Sequence, residues 1–119
     1  MANTQKTFAL VLGIVLLLVG IWGLFLGADG GEILGIGVNI PQSVLHVIAG
    51  IFGIYVGTKG MGPGYNSSIG WIGIVLAVLG FVPATAKLLD TLLNINMATT
   101  YLHLVIGVVA LGVYYTADK

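Results

Sequence analysis

His46 and His103 are the residues of this chain best suited to ligate a cofactor or handle a proton inside an apolar segment. Each follows a leucine (Leu45, Leu102) and lies seven residues beyond an asparagine (Asn39, Asn96). Each also precedes a glycine by four residues (Gly50, Gly107). That spacing sets each histidine and its glycine on one face of a helix. In the first copy the face continues through Gly53 and Gly57; the second reads Ala110 and Tyr114 there. One chemistry is axial ligation of a haem iron or a chlorophyll magnesium, with the glycines clearing room for the ring. The other is structural: each imidazole hydrogen-bonds a carbonyl, a hydroxyl or its twin, and the glycines let helix backbones close up. Close packing leaves too little space for a macrocycle, so the structural reading leads and no cofactor is expected. A polar or ion-binding role is a third reading. A two-histidine metal site lacks a carboxylate or thiol in the spans to complete it.

Catalysis has no support. Ser43 precedes His46 by three positions on the same helix, and no acid is placed to orient the imidazole. All four acidic residues fall outside the apolar runs, and there is no cysteine. The chain is not expected to be an enzyme.

The elements that hold the histidines repeat. A shift of 57 residues lays Asn39, Leu45, His46, Gly50 and Val56 on Asn96, Leu102, His103, Gly107 and Val113. The same shift lays Gly13 and Gly23 on Gly70 and Gly80. A period of this size in an apolar chain predicts two copies of one membrane hairpin. The copies occupy residues 1–60 and 61–119 and together make one domain.

Composition sets the environment. Of 119 residues, 58% are hydrophobic and 7% charged, too few charges to cover a soluble domain of this size. Four runs, near 7–26, 40–58, 67–83 and 97–116, are long enough to cross a hydrocarbon core of about 30 Å. The first is too long for a signal-peptide core and matches the third in the repeat, so it is read as retained. A net charge of zero and the lack of a basic patch argue against nucleic acid as partner.

Lys6, Lys59 and Lys119 lie on one side of such a chain and Lys87 on the other. The positive-inside rule then places both termini in the cytoplasm, with the chain multi-pass in a plasma (inner) membrane. Tyr55, Tyr65, Trp71, Tyr114 and Tyr115 would form the inner aromatic belt. Asn39 and Asn96 are expected to cap the second and fourth spans, with Gln42 completing a loose capping box. Residues 27–38 read as turn and apolar run, and 84–94 as a short amphipathic helix at the outer interface.

Phe8-Ala-Leu-Val-Leu-Gly13, Gly37-Val-Asn39 before Leu45-His46, and Leu93-Asn-Ile-Asn96 before Leu102-His103 resemble a bacterial family. Its members are four-helix integral membrane proteins classed as a domain of unknown function. The resemblance covers nearly the whole chain and implies the fold while leaving activity open.

The fold expected is an all-α integral membrane four-helix bundle of two parallel two-helix hairpin repeats. The function expected is that of a small non-enzymatic membrane protein. It would act through helix–helix contacts in the lipid bilayer, as a homo-oligomer or as a structural or accessory subunit of a larger membrane complex. A histidine-ligated haem or chlorophyll subunit, or a small transporter or channel, is the alternative.

Overall fold

The computed structural model describes residues 2–26, 31–33 and 35–118. Five helices and one short hairpin follow in the order α1 (Ala2–Phe25), β1 (Gly31–Ile33), β2 (Ile36–Val38), α2 (Ile40–Thr58), α3 (Gly62–Phe81), α4 (Pro83–Leu93) and α5 (Met97–Thr116). Four helices, α1, α2, α3 and α5, are long and apolar enough to cross a membrane. A helix satisfies its own backbone, which is what hydrocarbon requires of a spanning segment. The described charged side chains are all exposed, and the 41 Å long axis matches a bilayer with its headgroups.

Two boundaries differ from the sequence expectation. α1 starts at Ala2, because Asn3, Thr4, Gln5 and Lys6 continue the helix and Gln5 is buried there. The third span runs Gly62–Phe81 instead of 67–83. Pro63 sits in its first turn, where a missing N–H costs nothing, and Val82 ahead of Pro83 is extended (φ −90°, ψ 121°). Pro83 then opens α4. Four side chains of α4, Thr85, Ala86, Leu89 and Leu93, are half-buried, while Leu88, Leu92, Lys87 and Asp90 are exposed. Helical spacing separates an inward face, an exposed leucine face and a charged face, the arrangement of a helix lying flat at an interface.

The apolar run after Glu32 forms a hairpin, pairing Gly31 with Val38, Glu32 with Gly37 and Ile33 with Ile36. Gly35 turns it with φ +85°, a conformation glycine adopts freely. Ile33 and Val38 are buried. The turn expected at 27–30 and the charges of Asp29 and Lys119 lie outside the described residues.

α1 packs chiefly on α2, and α3 chiefly on α5; α1 and α3 also touch, forming an inner pair flanked by α2 and α5. Within each couple the backbones meet at glycine. A Cβ on Gly50 would fall 2.5 Å from the Leu17 amide nitrogen and 2.6 Å from the Gly13 carbonyl oxygen. A Cβ on Gly107 would fall 2.9 Å from both the Gly70 carbonyl oxygen and the Ile74 amide nitrogen. Such approach is what small residues permit between membrane helices.

The terminal end, which gathers α1's start, the α2–α3 turn and α5's finish, is tied by polar side chains. Gln5 is fully buried, and its Nε2 donates to the Val113 carbonyl at 2.8 Å. Asn66 Nδ2 donates to the Gln5 backbone carbonyl (3.0 Å) and to its Oε1 (2.8 Å). Tyr65, expected in an aromatic belt, is instead buried, and its hydroxyl donates to the Ala49 carbonyl of α2 at 2.9 Å.

The packing at glycine predicts a contrast. Gly50→Ala and Gly107→Ala should each lower thermal stability in detergent by about 1–3 kcal/mol, the usual cost of overpacking. Gly112→Ala, whose added methyl meets nothing within 4 Å, should leave the midpoint unchanged or slightly higher. Equal midpoints for all three variants would show that the crossings are loose.

Candidate functional site

Asn39 and Asn96 start the helices that carry the histidines. Asn39 Oδ1 accepts from the Gln42 backbone N–H at 2.9 Å, and Asn96 Oδ1 from that of Thr99 at 2.9 Å. Both asparagines have extended backbones, as an N-cap requires. Each amide group then reaches across the bundle. Asn39 Nδ2 donates to the Leu92 carbonyl (3.1 Å), and Asn96 Nδ2 to the Gly35 carbonyl (3.0 Å). Gln42 does not close a capping box; its Nε2 donates to the Leu93 carbonyl at 2.8 Å. A box would have Gln42 Oε1 accept from the Asn39 backbone N–H, but with the amide turned to α4 that oxygen has no partner among the described residues.

Asn94 completes this seam. It ends α4 in the left-handed conformation (φ 53°), and its Nδ2 donates to the Val38 carbonyl (2.7 Å) and the Gly31 carbonyl (3.1 Å). Gly37 lies against the Asn94 carbonyl so closely that a Cβ there would collide with it. Sequence reasoning passed over Asn94, although asparagine's tolerance of the left-handed region was a usable signal.

One turn beneath lie the histidines. On α2 the residues four and three before His46, Gln42 and Ser43, are buried, as are Gly50 and Gly53 four and seven after it. On α5 the same offsets from His103 give Thr99, Thr100, Gly107 and Ala110, again all buried. Each histidine therefore stands in the middle of its helix's inward stripe, yet each is only half-buried.

His46 Nδ1 and His103 Nδ1 are both buried without a partner among the described residues, and so are Ser43 Oγ and Gln42 Oε1. The reason is local: Ser43 points at Gly23, and the α1 and α3 backbones facing the glycines are already bonded within their own helices. Gly50 and Gly107 do not clear space for a flat ring, since the backbones of Leu17 and Ile74 fill it. Gly53 is covered by the Tyr65 ring and Gly57 by the Leu10 side chain. No group of three His, Cys, Asp or Glu gathers among the described residues.

The seam can be tested apart from backbone strain. Asn94→Gly keeps the left-handed turn and loses both side-chain bonds, while Asn94→Ala loses the bonds and adds a strain of about 1–2 kcal/mol. Thermal melts should rank wild type, then Gly, then Ala. An alanine variant as stable as wild type would mean that Asn94 holds nothing.

No curated protein and no solved structure matches this chain. A family model for a domain of unknown function (DUF4383) matches residues 6–116, which include both capping asparagines and both histidine faces, and the chain belongs to that family.

Proposed function

We propose that this chain is a non-enzymatic, multi-pass protein of the plasma (inner) membrane with both termini cytoplasmic. It serves as a structural or accessory subunit, joined to copies of itself or to a larger membrane complex through helix–helix contacts. The observation that carries this reading is where the polar groups go. Gln5, Asn39, Asn66, Asn94 and Asn96 all donate to the chain's own groups, most of them main-chain carbonyls. Outward, the spans offer lipid or a partner Leu18, Phe52, Val78 and Val105, each 57–61% exposed. Apolar surface of that kind recognises other helices by shape.

The reading includes two parallel hairpins related by a pseudo-twofold along the membrane normal. Its support is the recurrence of contacts at positions 57 apart: Gly13 and Leu17 on Gly50, Gly70 and Ile74 on Gly107. Gly23 against Ser43 and Gly80 against Thr100 repeat the relation. The rival reading, a haem or chlorophyll on His46 and His103, needs the space that the Leu17 and Ile74 backbones take.

Native membranes extracted into mild detergent supply the test. A particle larger than the monomer, with no visible absorption, is expected. A monomer would contradict the subunit role, and a Soret band lost in His46→Ala and His103→Ala would establish the cofactor instead. The absence of cysteine makes topology equally direct to measure. Ala2→Cys and Ala117→Cys should resist an impermeant thiol reagent in intact cells; ready labelling would reverse the orientation.

A further inference from the structure

The turn after α2 joins two helices that do not pack along each other. α2 lies chiefly on α1 and α3 chiefly on α5, so a groove stays open between them at the terminal end. It measures about 400 Å³, and Phe52, Val56, Met61, Gly64, Tyr65 and Ser68 line it. Small-molecule sites run to about 300–1,000 Å³, so this volume suits one ligand. Val56 and Tyr65 are buried at its floor, while Phe52 and Met61 are 60% and 50% exposed at its rim. At Gly64 nothing fills it, since a Cβ there would meet no atom within 4 Å. Tyr65 and Ser68 turn their hydroxyls to the Ala49 and Gly64 carbonyls, so the walls offer apolar surface.

Lys59 stands at the mouth of this groove. Phe52, Val56 and Lys59 follow at helical spacing, which sets the lysine over the same face of α2. Seven residues separate Phe52 from Lys59, so the groove reaches about 10 Å from the helix end into the hydrocarbon. The Lys59 Nζ lies 5.9 Å from the centroid of the Tyr55 ring. Lys6 is at the same end, its main chain against Gly62. Glu32 and Asp90 lie at the far end, and Asp118 is the one described acid on this side. A groove that is apolar in depth and positive at its mouth complements a molecule with an acyl chain and a phosphate. We propose that one anionic phospholipid occupies it, with an acyl chain between Phe52, Val56 and Tyr65 and its phosphate at Lys59. A neighbouring helix, about 10 Å across, would need roughly twice that volume to lie in the groove over the same length. The proposal rests on the four spans alone, and is independent of the subunit role and of the side that the termini face.

Full-length protein in nanodiscs of equal phosphatidylglycerol and phosphatidylcholine supplies the test, with native mass spectrometry counting the lipids retained. One phosphatidylglycerol per chain is expected, held in preference to phosphatidylcholine. Lys59→Gln should weaken its retention about fivefold, the effect of one basic residue near an anionic headgroup. Lys87→Gln, at the other end of the bundle, should leave retention unchanged. Gly64→Leu places a side chain in the open groove and should abolish it, with a thermal melt confirming that the variant folds. The lipid count on the unmodified protein and on Lys59→Gln stands even if the leucine variant does not fold. Equal retention of the two lipids, or retention indifferent to Lys59 and Gly64, would overturn the proposal. A second copy of the chain retained in place of the lipid would overturn it in favour of a protein interface.

Discussion

Gln5 is the side chain on which the rest of the structure depends. Two glycine-packed helix pairs share mainly apolar surface, and in hydrocarbon apolar contact alone gives little reason for the pairs to stay together. Gln5 joins three helices at one point: it belongs to α1, donates to the α5 carbonyl of Val113, and accepts from Asn66 of α3. The carbonyls of Val113, Tyr114 and Ala117 near its amide come from the last turn of α5 and its cap; that of Val113 accepts from the Ala117 N–H as well. One side chain thus brings a donor to carbonyls at the end of a neighbouring helix.

The loop end applies the same physics with different residues. Asn39, Asn94 and Asn96 bond main-chain carbonyls of the opposite half, so the helix caps double as ties. Gly62 meets the main-chain carbonyl of Gln5, and Gly37 that of Asn94, approaches that a Cβ would block. Within the helix pairs the close crossings are Gly13 on Gly50 and Gly70 on Gly107.

The four spans were legible as apolar runs, since length and hydropathy are local properties. Their ends were less so. Gln5 reads in sequence as the solvated start of a helix, and only the tertiary fold shows that α5 ends beside it. The hairpin at Gly31–Val38 was hidden because an apolar run of six has no period long enough to tell strand from helix. Tyr65 reads as an interfacial residue until Gly53, distant in sequence, gives its ring a place in the core. For the histidines, helix register was readable and hydrogen bonding was not. Whether Nδ1 finds a partner depends on which backbone atoms face it, and those of α1 and α3 are already satisfied.

The most direct test of the tie between the helix pairs is a double-mutant cycle on Gln5→Ala and Asn66→Ala, read from unfolding in bicelles. The coupling energy should be about 0.5–2 kcal/mol, in the range of hydrogen bonds between membrane helices. Additive effects, within about 0.3 kcal/mol, would mean that Gln5 and Asn66 act independently and that their contact does not tie α1 to α3.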